Sequence, residues 1–339
     1  MKAARFYRPG EGLKIEDVPE PKINAGEVLI RVAGAGVCHS DLHILEGSLP
    51  LPNTPITLGH EIAGYVEKVG EGVKGFSEGD AVAVFGGWGC GKCKVCLSGE
   101  EQLCNVLMWV GIGVDGGYAE YVRIPSPRYL VPLRKLDPIK AAPLTDAALT
   151  SYRAIKKARD GLTPADFLAV IGIGGLGQYG VQFAKMTGAR VIAIDIDDSK
   201  LEIAKSLGAD FTVNPKKENL LSVIDEITYG ENVARVIDFV GTDETLMNAV
   251  GILGKKGRLI LAGIGGGMTS FMWNPILPPE VTYTTVFWGS IPELHEVVSI
   301  AESGRLEINI EMVSFDELNE TFERLGRGEI RGRAVLVPR

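Results

Sequence analysis

Four of the chain's five cysteines fall within fifteen residues, in the order Cys90-x2-Cys93-x2-Cys96-x7-Cys104. Four thiolates on one loop suit tetrahedral zinc, and a closed four-sulfur shell points to a structural rather than a catalytic role. The surrounding segment GGWGCGKCKVCLSGEEQLCN has no apolar periodicity. It cannot hold itself by core packing, and a bound metal would order it. An iron–sulfur cluster is the rival for the same sulfurs. The fifth cysteine opens a second group, Cys38-His39-Ser40-Asp41-Leu42-His43, followed by Gly59-His60-Glu61. Three of the four histidines lie between residues 39 and 60. Cys38, His60 and Glu61 brought together would make an open zinc site, with one position left for water or substrate.

A third group reads as a dinucleotide site. Gly172-Ile173-Gly174-Gly175-Leu176-Gly177 follows the apolar run FLAVIGI (167–173) and opens a helical pattern. That context is what a G-x-G-x-x-G needs in order to mean pyrophosphate binding. Gly172 permits the tight turn, Gly174 lets the backbone approach the phosphates, and Gly177 lets helix and strand pack closely. Amides at the helix N-terminus, Gly175 and Leu176 included, then face the anion. The next apolar run, RVIAID, ends in Asp195, eighteen residues past Gly177. A carboxylate there accepts from the ribose 2′-hydroxyl of NAD and repels the 2′-phosphate of NADP. No arginine follows, only Ile196, Asp197 and Asp198, and Lys200 is within reach of the ribose.

The elements that must position these groups change character along the chain. VLIRVAGAGV (28–37), EIAGYVEKV (61–69), DAVAVF (80–85) and GYAEYVRI (117–124) are Val/Ile/Ala-rich runs between dense turn signals, which predicts an antiparallel or barrel-like all-β domain. From about residue 140 helical and short apolar strand patterns alternate, the mark of βαβ units and a parallel sheet. The expected fold is α/β: a doubly wound parallel sheet over 150–286 beside a β-rich domain over 1–149. ELHEVVSIAESG and FDELNETFERLGRG read as helices and RAVLVP as a closing strand. The tail, 287–339, is too short to stand alone and is expected to return to the first domain.

The 339 residues fit two domains better than one, because single cores stop growing at about 250–300 residues. Net charge is −8, which argues against nucleic-acid binding, since that needs a basic surface. No secretion signal and no run of about 18 apolar residues is visible, so no membrane span is expected and the cytoplasm is the default. Disulfides are then unexpected, and metal chemistry better explains the cysteines.

Gly59-His60-Glu61-x2-Gly64-x5-Gly70-x2-Val73 resembles the signature of the zinc-containing alcohol dehydrogenases, within the medium-chain dehydrogenase/reductase superfamily. The resemblance covers the whole chain, including the four-cysteine lobe and the glycine fingerprint. It implies a GroES-like first domain, a Rossmann second domain and an active site in the cleft between them. It implies that Cys38 and His60 are catalytic zinc ligands and that Glu61 is an adjacent acid that binds zinc in some states only. Asp146, in PLTDAALTSY, falls where many members carry a cysteine ligand. It is either the third ligand or a cap on the helix that follows. Thr150 matches a residue that touches the nicotinamide, and Arg333 a basic residue on the cofactor phosphates. His39 stands where many members place an arginine against the pyrophosphate.

The mechanism this implies is zinc acting as Lewis acid on the substrate oxygen, with hydride passing to NAD and two zinc ions per chain, one catalytic and one structural. The proton would leave through Ser40 and the cofactor ribose to His43, whose residue type suits such a relay. Trp88, Trp109 and Ile112 match the expected substrate channel, although tryptophans there could equally be core. The substrate expected is a primary or secondary alcohol and its aldehyde or ketone. A polyol or amino-alcohol dehydrogenase is the nearest rival. A relative that binds nucleotide without catalysis would lack Cys38 and His60. The family implies a homotetramer or homodimer.

Overall fold

VLIRVAGAG forms the strand Val28–Gly36. It pairs antiparallel with Glu61–Val69, Tyr121–Ile124 and Arg333–Leu336. Ala81–Val84 and Leu130–Pro132 extend the sheet on one side and Ile310–Val313 on the other, giving seven strands. Val28, Leu29, Ile30, Val32, Ile62, Val66, Val82 and Val84 are all buried. One three-stranded and one two-stranded sheet accompany it, the latter pairing Gly87–Trp88 with Met108–Trp109. Of the run 117–124, only Tyr121–Ile124 is strand. Tyr118 instead exchanges backbone bonds with Leu58 and Ala4.

Register does the positioning. Gly36 stands opposite Glu61, so Cys38, just past the end of one strand, meets His60, just before the start of the other. A Cβ on Gly36 would lie 1.9 Å from Glu61 Oε2, so the strands reach this corner only with glycine there.

Among the described residues, six further strands form one wholly parallel sheet, in the order Phe211–Val213, Arg190–Ile194, Phe167–Ile171, Val233–Asp238, Leu253–Leu261, Thr282–Thr285. Counted along the chain this is 3-2-1-4-5-6, the doubly wound dinucleotide-binding order. Every residue of Phe167–Ile171 is buried, as expected of a parallel strand covered on both faces. Phe167, Ile171, Ile192, Ile194, Val213, Val236 and Leu259 share its core. After the third strand the chain crosses back to the other side of the first, and the glycine fingerprint lies at the carboxyl end of that first strand.

The computed structural model describes residues 1–106, 108–270 and 278–338. Contacts divide the chain into Met1–Leu149 with Trp288–Arg339, and Thr150–Phe287. The tail reading of helix, helix and strand corresponds to Ile291–Glu302, Leu318–Gly326 and Arg333–Leu336, with the strand Ile310–Val313 added. Among the described residues, no helix is long and apolar enough to cross a membrane.

Candidate active site

Cys38 precedes the helix His39–Glu46 as its N-cap residue, and His60 precedes the strand Glu61–Val69. Asp146 ends the turn Ala142–Thr145. Thr145 ties that turn to the sheet: its hydroxyl accepts from the Ile62 amide at 3.1 Å and donates to Ala142 O. The three side chains therefore converge. Asp146 Oδ2 lies 3.8 Å from Cys38 Sγ and 3.4 Å from His60 Nε2. A tetrahedral zinc with ordinary bond lengths has S···O and N···O edges of about 3.3–3.6 Å. Sulfur, imidazole and carboxylate at this spacing fit zinc, and Cys38, His60, Glu61 and Asp146 all offer ligand atoms within 4.8 Å of one another.

Glu61 is engaged elsewhere as well. Its Oε2 accepts from Arg333 Nε at 2.9 Å, and its Oε1 accepts from Arg333 Nη2 and from the Ala147 amide at 3.1 Å. The amide at the start of the helix Ala147–Ala158 thus donates to Glu61. Burial raises the Glu61 carboxyl to about 7 against the opposing pull of Arg333. Burial lowers His60, but Asp41, Cys38 and Asp146 outweigh it and hold the imidazole well above its usual value. Arg333 is likewise pushed up, against burial, by Cys38 and Glu61. This corner is strongly negative, an environment that favours a cation.

Sequence reasoning assigned nothing to Asp41, Tyr118 or Trp288. Asp41 is fully buried. Its Oδ1 meets His60 Nδ1 at 3.2 Å, and its Oδ2 accepts from Tyr118 Oη at 2.7 Å and the Cys38 amide at 3.3 Å. An imidazole whose second nitrogen is held by a carboxylate is the usual partner arrangement of a metal-binding histidine. The acid three residues past Cys38 was the available signal. The Trp288 ring meets that of His60 edge-on, with centroids 5.7 Å apart, and its Nε1 donates to Thr145 O. Nothing local marks a tryptophan 228 positions away in sequence.

In the four-cysteine lobe the Sγ atoms of Cys93 and Cys96 are 3.4 Å apart, Cys93 and Cys104 3.8 Å, and Cys90 and Cys96 3.9 Å. Four sulfurs around one zinc at about 2.3 Å have edges of about 3.8 Å. The set fits a single ion and leaves no room for a multi-iron cluster. Backbone amides of Lys92 and Cys93 lower the Cys90 thiol to about 6, which favours the thiolate a metal needs. Glu101 anchors the lobe, accepting from Arg128 Nη2 at 2.9 Å and Tyr129 Oη at 3.0 Å.

Gly172 has φ +84°. Around Gly174 no atom lies within 4 Å of a built Cβ, whereas one on Gly177 would lie 1.8 Å from Gly172 O. The loop is open at Gly174, where a phosphate would approach, and tight where helix meets strand, and Gly175 and Leu176 lead into the helix Gly177–Met186. Asp195 Oδ2 accepts from the Ile173 amide at 2.7 Å and Oδ1 from the Asp197 amide at 3.0 Å. Ser151 Oγ donates to Leu176 O at 2.8 Å. These groups fit a dinucleotide, with Asp195 also bracing the loop. Lys200 lies in the helix Asp198–Ser206 and is half-buried.

The remaining predicted residues are less concentrated. Ser40 Oγ stands 3.6 Å from Cys38 Sγ, beside the metal group. His43 is on the same helix, with Nδ1 3.4 Å from Ser48 Oγ. His39 is exposed, and Thr150 is buried in the helix Ala147–Ala158. Arg333 Nε and Nη2 are both taken by Glu61. Trp88 is buried, donates from Nε1 to Phe85 O at 2.6 Å and packs on Tyr129, while Trp109 and Ile112 are half-buried.

Comparison with known proteins agrees with this geometry. The "Alcohol dehydrogenase GroES-like domain" family matches residues 24–135 and the "Zinc-binding dehydrogenase" family residues 175–303. An NAD-dependent alcohol dehydrogenase of Sulfurisphaera tokodaii is 40% identical over 100% of both chains. A D-arabinose 1-dehydrogenase (NADP(+)) of Saccharolobus solfataricus is 36% identical, over 99% of this chain and 97% of its own length. The crystal structure of an alcohol dehydrogenase from Aeropyrum pernix covers 100% of both chains at 40% identity, with a TM-score of 0.94. With both zinc-type donor sets and the doubly wound dinucleotide sheet in place, the chain belongs to the zinc-containing alcohol dehydrogenase family of the medium-chain dehydrogenase/reductase superfamily.

Proposed function

We infer that this protein is an NAD-dependent alcohol dehydrogenase that interconverts a primary or secondary alcohol with its aldehyde or ketone, using one catalytic and one structural zinc. The observation that carries the reading is the meeting of Cys38 Sγ, His60 Nε2 and Asp146 Oδ2 at zinc-ligand spacing. When bound, zinc supplies Lewis acidity toward the substrate oxygen and NAD takes up the hydride. Cys38, His60 and Asp146 hold the catalytic metal, with Glu61 in reserve on Arg333. Cys90, Cys93, Cys96 and Cys104 hold the structural one. The loop from Gly172 to Gly177 would receive the pyrophosphate and Asp195 the ribose, with Lys200, His39, Thr150 and Arg333 as further cofactor contacts. Ser40 would pass the substrate's proton on, by the path through the cofactor ribose that the family resemblance implies, to His43, which would release it to solvent. Trp88, Trp109 and Ile112 are assigned to the substrate channel, the place the family resemblance implies for them.

We assign 1–149 and 287–339 to the catalytic domain and 150–286 to the dinucleotide domain. Both donor sets need their cysteines reduced, and we assign the protein to a reducing, cytoplasmic compartment on that ground. The assembly implied by family resemblance is a homotetramer or homodimer, which light scattering measures.

The test is a panel of alcohols, aldehydes, polyols and sugars with NAD(H) and NADP(H), alongside elemental analysis. Two zinc per chain and turnover of simple alcohols with NAD are expected. Full activity in zinc-free protein would overturn the reading. For the relay, His43→Ala should slow alcohol oxidation and exogenous imidazole should partly restore it; an unchanged rate removes His43 from the path.

A further inference from the structure

The glycine that precedes His60 has φ +92°, and a Cβ there would lie 2.5 Å from Tyr118 Cδ1. Gly59 therefore lets the Tyr118 ring lie against the backbone that carries His60. The two segments are also joined by main-chain bonds: Tyr118 N donates to Leu58 O at 3.0 Å and Gly117 N to Gly59 O at 2.7 Å. Held this way, the fully buried Tyr118 places Oη 2.7 Å from Asp41 Oδ2 and 3.1 Å from Gly36 O. A phenol has one proton to give, and the nearer, charged acceptor takes it. Asp41 then has three donors: Tyr118 Oη, the Cys38 amide and His60 Nδ1.

We propose that Tyr118 is a positioning residue for the catalytic metal, the outer member of a hydrogen-bond chain Tyr118–Asp41–His60. The chain fixes the Asp41 carboxylate, through it keeps the proton of His60 on Nδ1, and so leaves the Nε2 lone pair facing Cys38 and Asp146. The inference rests on the assignment of a metal to Cys38, His60 and Asp146. Without the hydroxyl the buried carboxylate is one donor short and can turn away from the imidazole. Partners of this outer kind typically contribute 10–100-fold to metal affinity.

Tyr118→Phe removes only the hydroxyl and keeps the ring, whose centroid stands 6.1 Å from that of Phe322. In the holoenzyme challenged with dipicolinate, one zinc should dissociate about 10–100-fold faster, and the four-cysteine zinc at an unchanged rate. The visible absorption of cobalt at the catalytic position should shift. Phe322→Leu loosens the same packing but keeps the hydroxyl, and should lower Tm without speeding zinc release. In an Asp41→Asn background, which already breaks the chain, Tyr118→Phe should change the release rate by less than about twofold, as expected of residues acting as one unit. Wild-type release rates in Tyr118→Phe, equal acceleration by Phe322→Leu, or a full additional effect in the Asp41→Asn background would each overturn the proposal. Wild-type protein that binds no zinc outside the four-cysteine lobe would instead sink the metal assignment beneath it.

Discussion

Asp146 is the residue whose chemistry sequence alone leaves divided between helix cap and metal ligand. Its Oδ2 is turned to Cys38 and His60, while the Ala147 amide donates to Glu61. A lost cap would cost about 1 kcal/mol and asparagine would replace it, whereas asparagine cannot supply the charge that a zinc ligand supplies. Asp146→Asn should therefore release one of two zinc ions and lower turnover by about 100-fold or more, in line with loss of a ligand rather than an outer partner. Asp146→Cys should keep both ions. Elemental analysis beside kcat measures this, and normal zinc content in Asp146→Asn would return the residue to a capping role. Asp195, proposed to bind the ribose, also holds the Ile173 amide of the glycine loop through Oδ2. Hydrogen bonds to a charged group contribute about 1.5–3 kcal/mol. Asp195→Gly should raise KM for NAD by about 10-fold or more, and narrow the preference over NADP by weakening NAD rather than by gaining NADP. A mutant with unchanged KM for NAD would show that the carboxylate touches neither ribose nor a loop that matters.

At the scale of elements, the catalytic corner is a product of register. Opposing Gly36 and Glu61 brings Cys38 to His60, and a slip of one residue would turn every side chain of the strand to the other face. The glycine loop shows the same economy. Gly174 has nothing within 4 Å of a Cβ, and Gly177 has Gly172 O at 1.8 Å. The two positions should respond in opposite ways. Gly174→Ala should leave Tm nearly unchanged and raise KM for NAD, because the added methyl occupies space the pyrophosphate needs. Gly177→Ala forces helix and strand apart, at about 2–3 kcal/mol, and should lower Tm by about 5–10 °C. Thermal melts and NAD titrations of both variants separate the effects; a reversed pattern would mean the pyrophosphate does not lie over Gly174.

The molecule as a whole is acidic, with 43 Asp and Glu against 35 Lys and Arg, and several carboxylates are held below their ordinary values. Burial pushes Asp210 up, but the Lys185 ammonium at 2.6 Å and the Val191 amide at 2.7 Å more than reverse it. Asp198 is lowered by Lys217 and Asn214, Glu317 by Ser314, and Glu329 by Arg327. A carboxylate with a depressed folded-state pKa contributes stability above its unfolded value, 3.8 for Asp and 4.5 for Glu. That contribution is lost as pH falls through the folded value. These depressed carboxylates should lower Tm as pH falls below about 4. Asp210→Asn should lower Tm at neutral pH and flatten part of that acid drop. Solvent screening keeps the single-site effect at or below about 1 kcal/mol. Melts between pH 3 and 7 check it, and an acid slope identical in wild type and variant would rule Asp210 out as a contributor.

Much of the site is legible in the amino-acid sequence because its signals are local. Four cysteines within fifteen residues and a glycine fingerprint between strand and helix name their chemistry through spacing alone. The alternation of strand and helix likewise implies a parallel sheet, since βαβ units close only that way. What spacing does not convey lies across long separations. Asp41 stands in plain view in the sequence, but its link to His60 depends on which strands pair. Tyr118 and Trp288 reach the same histidine from 58 and 228 residues away, and no periodicity encodes that. The run GYAEYVRI promises a longer strand than Tyr121–Ile124, because its first residues find backbone partners on Leu58 and Ala4 instead. Arg333 can be matched to a phosphate contact by position, but only the folded chain pairs it with Glu61. Local geometry is written in residue type and spacing; the partners of a buried charge are chosen by the whole fold, which must satisfy each one or lose several kcal/mol.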